Sequence, residues 1–185
     1  LLTARLLDHL EPDARVVTTA SAAHTGAELS LDRVRGADSL TGLGAYSHSK
    51  LANVLFAAEL ARRFEAMGRD ITSNSIHPGA IPGTGFGRFL PGPLPGLLRR
   101  LEAVPGVTSV ADGAAELLFV GVSPRVEVVS GRYFADQHPQ SPSRAARDQA
   151  AARQLWQESA AMLDIEVPLP TDENTADDRT TPVDS

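Results

Sequence analysis

Tyr46-Ser47-His48-Ser49-Lys50 is the stretch of this sequence best equipped for proton chemistry. On a helix, residues four apart project from one face, so the Tyr46 phenol and the Lys50 ammonium can reach one site. A positive charge beside a phenol favours the phenolate and lowers a tyrosine's pKa from about 10. Such a tyrosine can exchange a proton with an alcohol or carbonyl near neutral pH. The plainer alternative is an exposed helix with an incidental Tyr/Lys pair. Lys50 is the lone lysine of the chain; the other basic residues are arginines, and with so much alanine a GC-rich coding sequence explains the bias.

Two more features fall where such chemistry needs them. Ser21 follows a short β-branched strand, Arg15-Val16-Val17-Thr18-Thr19, and opens onto small residues. Ligands of open α/β sheets bind outside the carboxyl ends of the strands, so a serine there can hydrogen-bond a substrate oxygen. Taken alone, Ser21 reads as a turn residue. A second strand, Ile71 to Ile76, closes in His77-Pro78-Gly79, and Pro78-Gly79-Ala80-Ile81 offers tight backbone to a flat ligand.

The elements that must position these residues alternate between helix and strand. Leu1, Leu2, Leu6, Leu7 and Leu10 have helical spacing over residues 1–10 with no N-cap before them, like a helix entered part-way. A Gly/Asp/Ser-rich loop over about 26–44 leads into a long helix over about 46–66, ended by Gly68. After a Pro/Gly-rich loop over about 80–94 come a helix over about 109–120, capped at Thr108 or Ser109, and a third strand at Gly131-Arg132-Tyr133-Phe134. A last helix over about 143–163 carries Leu155, Trp156 and Leu163. This alternation predicts an α/β layer on a parallel sheet. From Glu166 onward, six acids face the single Arg179 among Pro168, Pro170 and Pro182, which reads as a disordered acidic tail over 166–185 behind a body at 1–165.

Composition removes other classes. At 185 residues, 42% hydrophobic and 22% charged, the chain suits one soluble domain. The absence of cysteine excludes disulfides, thiolate zinc sites and cysteine nucleophiles. A net charge of −6 argues against nucleic-acid binding. No apolar run reaches the roughly 18 residues of a membrane span, so a cytoplasmic location is expected. His9, His24, His48, His77 and His138 lack metal-ligand spacing, so no metal is expected; they read as packing or surface residues, with His24 and His48 beside the site as the lesser reading. Asp112 with Glu116, and Asp32 with Asp38, read as solvated acids, and Arg62-Arg63 and Arg99-Arg100 as helix surface. Arg99-Arg100 beside Leu97, Leu98 and Leu101 touching a membrane face is the lesser reading.

Taken together, these motifs resemble the short-chain dehydrogenase/reductase family, most closely its retinol-dehydrogenase-like members. The resemblance is carried by Arg15-Val16-Val17 through Ser21-Ala22-Ala23-His24, by Ala45-Tyr46-Ser47-His48-Ser49-Lys50-Leu51-Ala52-Asn53, and by His77-Pro78-Gly79-Ala80-Ile81. Weaker support comes from Ser130-Gly131-Arg132-Tyr133-Phe134 and the Leu155-Trp156 helix; the likeness covers about residues 1–163. It implies a Rossmann-like, doubly wound parallel sheet of which about three strands are present. It also implies hydride transfer between NADP or NAD and the alcohol/carbonyl pair of an apolar substrate. Ser21 would polarise the substrate oxygen, Tyr46 would be the general acid/base, and Lys50 would favour the phenolate and bind the nicotinamide ribose. Pro78, Gly79 and Ile81 would line the nicotinamide, with Thr19 nearby.

Some positions depart from the family pattern. Thr18 stands where asparagine is usual, and Ala20 where a second serine is usual. The threonine expected five residues after the motif proline is replaced by Gly83, with Thr84 one place later as the substitute carboxamide contact. No glycine-rich turn follows a first strand. Gly83-Thr84-Gly85-Phe86-Gly87 runs into Arg88 and then Pro91, Pro93 and Pro95, so a substrate-entry loop is favoured over a phosphate cradle. The family's first four strands and its helix asparagine are therefore expected before Leu1. The strand Arg15–Thr19 is then expected to lose its inner partner and present an unpaired edge, so that this half is either marginal in stability or associates through that edge. Two functions follow: an NAD(P)-dependent oxidoreductase on a small alcohol, aldehyde or ketone, or a non-catalytic remnant serving as an association module. A sugar epimerase or dehydratase shares the Tyr-to-Lys spacing but fits the short segment after Pro78-Gly79 less well.

Overall fold

The structure is a computed structural model that describes residues 2–32, 42–79 and 108–170. Four strands form one sheet in the order β1-β2-β3-β4: β1 Arg15–Thr19, β2 Thr72–His77, β3 Tyr133–Ala135 and β4 His138–Gln140. The first three are parallel, with Thr19 opposite Ile76 and Ile76 opposite Phe134. Their connections carry α2 (Gly42–Ala66) and α3 (Val110–Val122); α1 (Leu2–Leu6) precedes the sheet and α4 (Gln149–Met162) follows it. Among the described residues β1 has β2 as its one neighbour, so it forms an edge.

Strand alternation sends successive side chains to opposite faces. Val16 and Tyr133 join the clusters built with α2 and α4, around Leu51, Leu55, Leu60, Phe64, Leu155 and Trp156. Val17, Ile76 and Phe134 join Val120 of α3 on the other face. Helices thus cover both faces, giving the Rossmann-like α/β arrangement that the alternation predicts. Ser73 and Ser75 are buried on β2, beside the fully buried α2 residues Leu51, Leu55 and Leu60. Small side chains here let the helix lie close to the sheet. Because α2 packs against β1, β2 and α4 together, its buried residues run round much of its circumference.

Arg63, read as helix surface, and Glu116, read as a solvated acid, are both buried, because each lies on the side of its helix that packs inward. Two elements also differ from the sequence expectation. A fourth strand, β4, pairs antiparallel with β3 through Asp136 and Gln137, whose φ values of 54° and 59° match a two-residue type I′ turn. His138-Pro139-Gln140 has no strand-like composition, and its proline is tolerated on an edge strand, where no ladder donor is needed. The chain also stays packed past residue 166. Leu169 is buried against Trp156, whose Nε1 donates to the Pro168 carbonyl at 3.0 Å. Arg63 Nη1 donates to the Leu169 carbonyl at 2.8 Å. The acidic stretch therefore starts with an anchored strap rather than a solvated tail. Residues 171–185, the loop at 80–94 and Arg99-Arg100 lie outside the described residues.

Candidate active site at the carboxyl end of the first strand

Tyr46 and Lys50 occupy the first turns of α2, and their spacing stacks them on one face. The Lys50 ammonium stands 5.5 Å from the centroid of the Tyr46 ring. It also donates to the carbonyl of Thr19, the last residue of β1, at 3.3 Å. Asn53 Nδ2 donates to the same carbonyl at 2.9 Å. The family likeness includes Asn53 but implies no site role for it. The signal for it was present, since it stands three residues after Lys50 and seven after Tyr46 and so shares their face.

Ser21 begins two residues beyond that carbonyl. Its extended backbone (φ −164°, ψ 156°) caps a 3₁₀ turn at Ala22–Gly26, and its Oγ accepts from the Ala23 amide at 3.2 Å. The hydroxyl hydrogen is not spent in that bond and remains a donor. The turn packs on α2, so Ser21, Thr19, Tyr46 and Lys50 all belong to the same end of the sheet.

Pro78 and Gly79 follow β2, whose end lies beside that of β1 through the Thr19–Ile76 pairing and an Ala20 amide bond to the Ile76 carbonyl at 2.8 Å. Gly79 has φ +87°, and a Cβ there would collide with the Thr108 side chain. Only glycine suits this position, both for its left-handed backbone and for its close approach. Ile81 and Thr84 lie outside the described residues.

Behind this end, three titratable groups, buried Glu116 and Tyr133 and half-buried His77, are pushed toward their uncharged forms. Burial lowers the His77 pKa, and the Asp136 carboxylate opposes it. Burial raises the Glu116 carboxyl, although the Gln137 amide donates to its Oε2 at 2.6 Å and pulls it down. Burial, with help from Glu116, pushes the Tyr133 phenol up to about 12. Tyr133 is therefore unsuited to proton exchange near neutral pH. A concavity of about 880 Å³ lies elsewhere, between the second half of α2 and the β3–β4 hairpin, and includes none of the expected site residues.

The donor set fits the ribose end of a nicotinamide cofactor. An ammonium has three N–H donors, and Thr19 takes one, leaving others for ligand hydroxyls. The pyrophosphate end has no comparable seat among the described residues, because neither β1 nor β2 ends in a glycine-rich turn that opens a helix.

No protein-family model matches the chain. Among curated proteins it is similar to dehydrogenase/reductase SDR family member 13 from Bos taurus, 39% identical over 171 residues, which cover 89% of this chain and 44% of that protein. It is likewise similar to retinol dehydrogenase 14 from Mus musculus, 37% identical over 168 residues (89% and 49%). Short-chain dehydrogenase TIC 32 A, chloroplastic, from Brassica napus is 32% identical over 176 residues (89% and 53%). A crystal structure of an uncharacterized protein from Mycobacterium paratuberculosis superposes with a TM-score of 0.66 at 27% identity, over 90% of this chain and 56% of that one. The chain spans about half the length of the curated relatives it matches. Together with the Tyr46/Lys50 helix packed on a parallel Rossmann-like sheet, these likenesses place the chain in the short-chain dehydrogenase/reductase family.

Proposed function

We propose that this chain carries the reacting end of an NAD(P)-dependent oxidoreductase site that interconverts an alcohol and a carbonyl. The observation that carries the reading is the Lys50 ammonium, tied to the Thr19 carbonyl at 3.3 Å and held 5.5 Å from the Tyr46 ring centroid. A bound nicotinamide would supply or accept the hydride. In the reducing direction, Tyr46 gives its phenolic proton to the substrate oxygen as the carbonyl carbon gains the hydride. In the oxidising direction it takes that proton back. Lys50 favours the negative charge left on the phenol oxygen, and the Ser21 hydroxyl donates to the substrate oxygen, where charge develops. Thr19 fixes Lys50; Pro78 and Gly79 form the backbone wall. Relatives named retinol dehydrogenase support an apolar substrate.

A second reading is supported by the lack of a pyrophosphate seat and by the β1 edge among the described residues: the chain, as given, serves as an association module rather than a catalyst. Titrating the 185-residue chain with NADPH and with NADH, followed by nicotinamide fluorescence, separates the two. The oxidoreductase reading predicts saturable binding with a micromolar Kd for at least one of them. No binding up to millimolar cofactor would favour the association module.

A further inference from the structure

We infer that His24 is a positioning residue that sets Ser21 through a neutral imidazole protonated on Nδ1; the role rests on the alcohol/carbonyl chemistry proposed above. His24 is 1% exposed, and both ring nitrogens are engaged. Nδ1 lies 2.7 Å from the Ser21 carbonyl oxygen. That oxygen can only accept, so Nδ1 carries the hydrogen. Nε2 lies 3.1 Å from the backbone nitrogen of Ser143, which can only donate, so Nε2 is bare. A single tautomer satisfies both bonds, and an imidazolium would set Nε2–H against the Ser143 N–H.

The bonds converge on the serine. Its carbonyl accepts from the His24 ring and from the His24 amide at 3.1 Å, while its Oγ accepts from Ala23. At the other end, Ser143 Oγ accepts from the Ala146 amide and so fixes the turn that leads into α4. The Tyr133 ring meets His24 edge-on at 4.8 Å between centroids, and His77 of β2 is a titratable neighbour of His24 that burial pushes toward its neutral form. His24 therefore ties the Ser21 turn to a segment 119 residues away in sequence. A parallel clamp acts further along the same loop, where the Ser30 amide donates to His48 Nε2 at 3.0 Å, two residues past Tyr46 on α2. Displacing a reacting group by about 1 Å can cost about 10²-fold in rate, which sets the scale of the effect.

The test combines a spectrum with kinetics. In ¹⁵N-imidazole NMR of the protein, with His24 assigned by its loss in the His24→Leu variant, the ring should show a protonated Nδ1 and an unprotonated Nε2. An Nε2–H tautomer or an imidazolium at neutral pH would overturn the clamp. In carbonyl reduction, His24→Leu should lower kcat about 10²-fold while NAD(P)H affinity is unchanged. His24→Asn keeps a donor near the Nδ1 position and should recover most of kcat even if both variants melt earlier. Equal loss in the two variants, or no loss in either, would overturn the positioning role. A wild-type protein with no carbonyl turnover would overturn the assigned reaction and the role with it, whereas the imidazole spectrum would still report on the clamp alone.

Discussion

Tyr133 is buried whereas Tyr46 is half-buried, and that burial takes Tyr133 out of proton exchange near neutral pH. Tyr133 is buried on β3, between the clusters under α2 and α4, and its phenol is pushed up to about 12. The folded protein therefore keeps this proton where the unfolded chain, with a tyrosine pKa near 10, has lost it. Its contribution is fully present below about pH 10 and is lost as pH rises through about 12. The expected size is on the order of 2 kcal/mol. Urea unfolding between pH 9 and 12 should show this loss in the wild type and a shallower decline in Tyr133→Phe; parallel declines would refute the assignment. Tyr46 was legible because a phenol and the chain's lone lysine stand four residues apart, a pattern that local spacing fixes. The bonds of His24 and His48 were not, since their partners Ser143 and Ser30 are brought close by tertiary packing rather than by sequence distance.

At the scale of elements, the strands and long helices were readable because their hydrophobic spacing and glycine stops are local. Arg15–Thr19 coincides with the expected strand, and Gly68, at φ +62°, follows α2 as a C-terminal glycine should. β4 and the strap at 167–169 escaped because both are held by what they meet rather than by their own composition. The strap is anchored by Leu169 in the Trp156 cluster and by two carbonyls that accept from Trp156 Nε1 and Arg63 Nη1. Arg63 is itself fully buried with its Nε paired to Glu59 at 2.7 Å, and its Nη1 depends on the strap carbonyls for an acceptor. Ending the chain after Glu166 should therefore destabilise the fold, by roughly 1.5–3 kcal/mol for the leucine and about 1 kcal/mol for each lost acceptor. Chemical denaturation of the shortened chain reads this directly, and an unchanged midpoint would show that the strap contributes nothing.

For the whole molecule, the sheet order places the ends of β1 and β2 side by side, and α2 starts over them. That arrangement gathers Thr19, Ser21, Tyr46, Lys50, Pro78 and Gly79 at one end of the sheet. The chain spans about half of each curated relative, and among its described residues the proposed ribose-and-substrate end has no pyrophosphate cradle beside it. The central claim is that Tyr46 exchanges the proton. Its most direct test is turnover of an apolar aldehyde with NADPH or NADH by the protein and by its Tyr46→Phe variant, with the cofactor Kd measured in parallel. Removing one general acid/base is expected to lower turnover about 10²–10⁴-fold while the Kd stays essentially the same, because Lys50 and Thr19 are untouched. Turnover that survives Tyr46→Phe unchanged would contradict the account.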